Sequence, residues 1–271
     1  MAIYIIIGIC LIYLILIMPE MINRKNFNAF NGRYYAHRGL HDNSSDAPEN
    51  SIEAFKLAVE RGYGIELDVQ LTKDDIPVVF HDANLKRVCG VDKKVKELNL
   101  EELQYLKLFK SNEHIPLFTD VLKIIDGKMP VIVEFKTKGS DTNVCDIVAP
   151  ILDNYQGIYC VESFDPLTVR WYKKNRPQVI RGQLSTNYIK GGVKNDRFLN
   201  LMLQNLLFNI ITKPDFIAFN HVYGNMLSFN ISRKLYKVPT FAFTICSREE
   251  LIGNKDRFDY FIFEGFEPGK Q

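Results

Sequence analysis

From residue 34 onward the chain alternates short β-rich runs with stretches of helical spacing, and this alternation limits the possible folds more than any other feature. The β-rich runs fall at 34–37, 65–72, 131–136, 157–163, 179–184, 216–220, 240–245 and 260–263. Stretches such as 51–61, 100–106 and 166–175 lie between them and carry apolar residues at helical intervals. Such alternation argues for a parallel sheet covered by helices. Eight strands predict a closed α/β barrel of the TIM type, (β/α)8, over residues 34–271. An open doubly wound sheet is the alternative, but no Gly-rich phosphate loop follows the first strand. The connection 83–115 is too long for an ordinary loop and predicts a small insertion after the second strand. With 46% apolar residues among 271, the chain can fill one large core. A net charge of +2 offers no concentrated basic face, which speaks against nucleic acid as a partner. The five cysteines are widely spaced, without Cys-x-x-Cys, and point away from a disulfide framework or zinc site.

Residues 2–18 contain no charged side chain. A run of that length lies at the short end of the roughly 17–25 residues needed to cross a bilayer. A cleaved signal peptide needs a basic start and a small-x-small cleavage site, and neither is present. A buried core helix is the third possibility, but it leaves the lack of a polar face unexplained. Residues 1–19 therefore read as a single-pass transmembrane anchor and 20–33 as a linker. Arg24, Lys25 and Arg33 follow the run, so the positive-inside tendency predicts a membrane protein with its barrel in the cytoplasm.

Glu66 and Asp68 stand two apart on a predicted strand and share one face. Two acids on a strand rich in Leu and Val are costly to bury without compensation. A divalent cation with oxygen ligands would compensate them; a solvent-facing strand with charged alternates is the other reading. Asp74-Asp75 suggests a two-residue hairpin loop, in which residues summing to 149 face each other and His81 stands opposite Asp68. His37 and Arg38 end the first strand, the catalytic end of a barrel strand, and arginine's planar fork suits phosphate oxygens. Glu134 and Lys136 repeat the two-residue spacing, as a third carboxylate with a phosphate-binding ammonium or as a buried ion pair. Asn50, with Glu53 three residues on, reads as a helix cap.

Several motifs in order now carry a resemblance: His37-Arg-Gly, Pro48-Glu-Asn-Ser-Ile-Glu-Ala-Phe55, Glu66-Leu-Asp-Val-Gln-Leu-Thr72, Val78-Val-Phe-His-Asp82 and Ser163-Phe-Asp-Pro166. Together with Leu85, Arg87 and the 131–136 strand, they resemble the glycerophosphodiester phosphodiesterase family. The resemblance implies a TIM-type barrel that hydrolyses glycerophosphodiesters to glycerol phosphate and an alcohol. It implies His37 and His81 as the acid–base pair, and Glu66, Asp68 and Glu134 as ligands of Ca²⁺ or Mg²⁺. Arg38 and Lys136 would hold the phosphate. Two departures bear on the substrate pocket: the family's Trp-Thr-Val-Asn reads Phe243-Thr-Ile-Cys246 here, and its closing Asp-x-Pro reads Glu264-Gly-Phe-Glu-Pro268.

The segment 198–211 is apolar almost all round, relieved by Asn200, Gln204, Asn205 and Asn209. It reads either as a helix buried against the barrel or as a lipid-facing lid beside the site. With the anchor, a lid points to a lysophospholipid or another lipid-derived glycerophosphodiester as substrate. The rivals are a lysophospholipase D-like enzyme, a phosphodiesterase that stops at a cyclic phosphate, and a membrane-bound binding protein with a dead site.

Overall fold

A computed structural model describes residues 1–137, 139, 141–194 and 196–269. Among the described residues nine strands form one sheet: β1 Tyr35–Ala36, β2 Gly64–Leu71, β3 Pro77–Val79, β4 Val131–Phe135, β5 Tyr159–Ser163, β6 Arg181–Ser185, β7 Phe216–Asn220, β8 Thr240–Ile245 and β9 Tyr260–Phe263. All but β3 run parallel, and β1 pairs with both β9 and β2, which closes an eight-stranded barrel. The expected TIM-type architecture is therefore present, with strand positions close to those read from the sequence.

Alternation along the strands sorts the side chains into two cores. Outward residues such as Ile65, Leu67, Val131 and Val133 pack under the helices, among them Phe55 and Ala58 of the helix Ile52–Arg61. Inward residues fill the barrel with Tyr35, Ile132, Cys160, Leu184, Phe216, Phe241 and Tyr260. Phe27 and Phe30, within the stretch read as a linker, join this interior core and pack against Phe216, Tyr260 and Tyr35. Gly182 makes room for the Phe216 ring, whose Cε2 would lie 2.2 Å from an added Cβ. Gly182→Ala should therefore overpack a closed core at a cost of about 1–3 kcal/mol. A thermal melt should show a midpoint lower by several degrees; an unchanged midpoint would mean that the ring relaxes freely.

The β2–β3 hairpin differs from the expected one by one residue. Val69 pairs with Val79 and Gln70 with Val78, so partner numbers sum to 148. The loop has three residues because Asp75 takes a left-handed φ of 58°, and Thr72 closes it by bonding Ile76. Phe80, not His81, meets Asp68, through its N–H to the Asp68 carbonyl at 3.0 Å. The ladder ends at Val79, and the chain then carries His81 to the site by leaving the sheet. The insertion after the hairpin holds short helical turns over its own core, including Phe80, Leu85, Val88, Leu103 and Leu108. Helix Ile52–Arg61 is capped by Ser51, which accepts from Ala54 N–H, rather than by Asn50.

The transmembrane anchor is corrected. The N-terminal helix spans Ala2–Ile17, 16 residues, or about 24 Å against the ~30 Å of a bilayer's hydrocarbon. Among the described residues no helix is long and apolar enough to cross a membrane. Its last turns are also committed to the barrel: Ile17 is buried, and the Leu14 and Ile17 carbonyls accept from Tyr236 and Asn209. Only the first part of the helix stands free.

Candidate active site

The C-terminal strand ends gather the charged residues singled out above. Glu66 and Asp68 project from one face of β2, and Glu134 of β4 pairs in register with Asp68. All three are buried, and one oxygen from each lies within 4.8 Å of the others. Burial, then the neighbouring Asp68 charge, pushes the Glu66 carboxyl well above its ordinary range, and burial raises Glu134. Asp68 moves the other way: burial opposes its ionisation, but Lys136, His81 and Arg38 together hold its carboxyl well below the usual range. Lys136 Nζ lies 2.8 Å from Asp68 Oδ1 and 2.6 Å from Glu134 Oε1. Asn50 donates its amide to Asp68 Oδ2 at 2.8 Å, and the Arg38 backbone N–H donates to Glu66 Oε2 at 3.0 Å. Glu66 Oε1 is left buried with no hydrogen-bond partner. A divalent cation fits this donor set: the ligands are anionic oxygens, and metal–oxygen bonds of about 2.0–2.6 Å bridge such spacings.

Two imidazoles flank the acids. His37 Nδ1–H donates to Glu264 Oε2 at 2.5 Å, and His81 Nδ1–H donates to Asp82 Oδ1 at 2.6 Å. Each carboxylate thereby fixes a tautomer and leaves Nε2 free for chemistry. His37 Nε2 stands 3.9 Å from Glu66 Oε2. Burial lowers both rings, His81 to about 4, which favours the neutral form. The hydrogen bond from His37 holds Glu264 at about 2.

Arg38 is presented by a strained turn. Its φ is 56°, and Gly39 follows at 82°, where an added Cβ would lie 2.9 Å from the Ala54 backbone. A left-handed non-glycine residue costs ~1–2 kcal/mol. Several contacts hold Arg38 there: Nη1 donates to Glu49 at 2.7 Å, and Nε lies 3.4 Å from Asp68. Glu49 accepts two further bonds from Arg87, at 2.7 and 2.8 Å, and Arg87 also grips Asp82. A continuous chain of ion pairs thus runs from Arg38 through Glu49 and Arg87 to Asp82, which the His81 Nδ1–H bond extends to the imidazole. It sets the two sides of the site in one frame.

Sequence reasoning did not assign Glu264, Asp82, Glu49, Arg87 or Glu162 to the site. Asp82 was signalled by adjacency to His81, and Glu264 by its place directly after β9. Glu162, paired in register with Glu134, could have been found from the inward alternation of β5. The pairing of Glu49 with Arg87 has no local signal. All the groups assigned from sequence do converge: His37, Arg38, Glu66, His81, Glu134 and Lys136 line one cavity of about 460 Å³, with Asp68 beneath them at full burial. Leu184, Ile262, Phe164 and Phe243 also line it, alongside polar groups such as Glu162, Asn220, His221 and Thr244. The Phe164 and Phe243 rings meet edge to face at 5.8 Å.

A family model described as the glycerophosphoryl diester phosphodiesterase family matches residues 37–187, more than half of the chain. The chain belongs to this family. Its reaction is the hydrolysis of glycerophosphodiesters. A glycerophosphodiester phosphodiesterase homologue of Bacillus subtilis, YhdW, is 33% identical over 210 residues, covering 70% of this chain and 85% of its own. The glycerophosphodiester phosphodiesterase of Caldanaerobacter subterraneus is 35% identical over 162 residues, covering 55% and 65%. A rat lysophospholipase D is 32% identical over 141 residues, covering 47% and 44%. Among solved structures, an Oleispira antarctica phosphodiesterase in complex with its product sn-glycerol-3-phosphate superposes with a TM-score of 0.70 at 22% identity, over 87% of this chain and 93% of that one. At that identity the likeness speaks for the barrel alone.

Proposed function

We propose that this phosphodiesterase holds one Ca²⁺ or Mg²⁺ on Glu66, Asp68 and Glu134, exchanges protons through His37 and His81, and grips the phosphate with Arg38 and Lys136. One observation carries the reading: three buried carboxylates with an orphaned Glu66 oxygen are flanked by two imidazoles, each tied at Nδ1 to its own carboxylate. A phosphodiester is anionic and repels nucleophiles. When bound, the cation supplies Lewis-acid neutralisation of phosphate oxygens. Lys136 and the Arg38 guanidinium add positive charge where the transition state gathers negative charge. One imidazole, neutral, takes the proton of the attacking hydroxyl at Nε2, while the other enters the step as imidazolium and gives its Nε2 proton to the leaving alkoxide; the two exchange roles when water opens the ring. The substrate's own glycerol hydroxyl attacks first, gaining from proximity, and water then opens the cyclic phosphate.

The purified chain, supplied with a panel of glycerophosphodiesters and divalent cation, should release glycerol phosphate and the free alcohol. Accumulation of a cyclic phosphate as the end product would favour the lyase-type rival. Binding without turnover would favour the dead-site rival.

Glu264 tests the proton-transfer reading from behind the ring. Glu264→Gln can present an amide N–H to His37 Nδ1 and so favour the wrong tautomer, the effect known to be severe in triad hydrolases. A fall in kcat of about 10²-fold with KM little changed is expected. Glu264→Asp should recover part of it. An unchanged kcat in Glu264→Gln would remove the orienting role.

Lipid-derived substrates are favoured by the uncharged N-terminal helix, exposed from Ile3 to Ile12. The helix associates with the bilayer without crossing it, and the basic residues Arg24, Lys25 and Arg33 suit the anionic headgroups of the cytoplasmic leaflet. A lysophospholipase D-like activity is the second reading, supported by this apolar surface.

A further inference from the structure

The helix Arg197–Gln204, which follows β6, is inside out. Its buried residues are Asn200 and Gln204, while Phe198 is 70% exposed and Leu201 41%. Each inward amide makes one local bond: Asn200 Nδ2 donates to the Val193 carbonyl, and Gln204 Oε1 accepts from the Ile189 N–H, while Asn200 Oδ1 is buried with no partner. An isolated surface helix in water turns its apolar stripe inward. This one turns it outward, so its outer face suits an apolar medium. The loop before it continues the pattern. Ile189 and Val193 are each 40% exposed, and the exposed Lys190, Lys194 and Arg197 are interleaved with them. Asp196 is the sole acid in 187–201, and its carboxylate is engaged as the helix cap on Leu199 N–H.

Two observations place this surface. Tyr188, at the start of the loop, packs edge to face on Phe164, which lines the active-site cavity. The N-terminal helix rises on the same flank: it is tied at Met18 to Lys213, before the start of β7, and Tyr13 faces Ser228, beyond the end of β7. Ser228 Oγ in turn donates to the Gln204 carbonyl. The last turns of the N-terminal helix are thus held on the flank that carries this surface, and its free part extends beyond these ties. That part is apolar around its whole circumference: Tyr4, Ile5, Ile6, Ile7 and Ile9 are all exposed. A groove on a protein partner covers one side of a helix, whereas hydrocarbon covers every side.

We propose that residues 189–194 and 196–201 form a docking surface for an anionic lipid bilayer, which seats the mouth of the active site against the membrane. The lysines and Arg197 meet anionic headgroups, and Phe198, Leu201, Ile189 and Val193 enter the boundary between headgroups and acyl chains. This deepens the reading of lipid-derived substrates and rests on it.

The test uses the full chain and co-sedimentation with two kinds of vesicle, phosphatidylcholine alone and phosphatidylcholine mixed with phosphatidylglycerol. Wild type should bind the anionic vesicles more tightly. Lys190→Gln/Lys194→Gln should weaken that binding about 25-fold, at about fivefold per lysine, and leave binding to neutral vesicles unchanged. Phe198→Ser should weaken binding to both. Hydrolysis of soluble glycerophosphocholine is the control and should stay at the wild-type rate in all variants, since none of these side chains lines the cavity. Equal binding of wild type to both vesicles, or unchanged binding in the lysine variant, would overturn the proposal. Loss of soluble turnover in wild type itself would instead count against the phosphodiesterase assignment of the site.

Discussion

Glu66→Gln should lower turnover of a soluble glycerophosphodiester by about 10³-fold or more and abolish tight divalent-cation binding in calorimetry. The substitution keeps the volume of the side chain and its acceptor for the Arg38 N–H. It removes the anionic charge, and with it the oxygen that has no partner in the buried cluster. Burial and the neighbouring Asp68 charge also press Glu66 strongly toward protonation. Relief of that repulsion means that Glu66→Gln should leave thermal stability equal or slightly raised in the absence of cation. Loss of activity without loss of fold is thus the expected pair of results. Chelator should reduce the wild type to a similar level, and added Ca²⁺ or Mg²⁺ should restore the wild type only. Full wild-type turnover in excess chelator would end the metal reading, whatever the variant does.

Most of the barrel was legible because its strands are marked twice over. β4 reads Val-Ile-Val-Glu-Phe, with apolar runs on both faces as a doubly covered parallel strand requires, and the acid appears only toward its C-terminal end. The same logic exposed Glu66, Asp68 and Lys136. What failed was local geometry whose cause is distant. Asn50 has the composition of a helix cap, yet its φ of 57° and its bond to Asp68 make it a support for the site, and Ser51 caps instead. The hairpin register turned on a single left-handed aspartate, Asp75, which no residue type forces. Hydropathy marked the N-terminal helix as apolar but could not reveal that its last turns are spent on Tyr236 and Asn209. The segment after β6 was read as apolar almost all round, relieved by four amides, whereas the fold buries Asn200, Gln204 and Asn209 and turns Phe198 out. Glu49 and Arg87 are 38 residues apart in sequence, and only the closed barrel makes them partners.

His81→Ala should lower kcat by about 10³-fold, while cation affinity stays within about twofold of wild type and substrate binding is partly kept. The imidazole is neutral at pH 7 because burial lowers it to about 4, so it is ready to accept a proton without first losing one. Its Nδ1–H is committed to Asp82, which Arg87 fixes from the other side, so Nε2 has one direction in which to act. Removing the ring leaves Asp82 with Arg87 as a partner and creates no buried unpaired carboxylate, so the fold should survive. The loss therefore reports proton transfer rather than collapse. Alanine at His81 also separates the two halves of the site: Glu66→Gln should lose cation binding with activity, and His81→Ala should lose activity alone. If His81→Ala turned over at the wild-type rate, the proton would have to pass through His37 or water, and the flanking-imidazole arrangement would be structural.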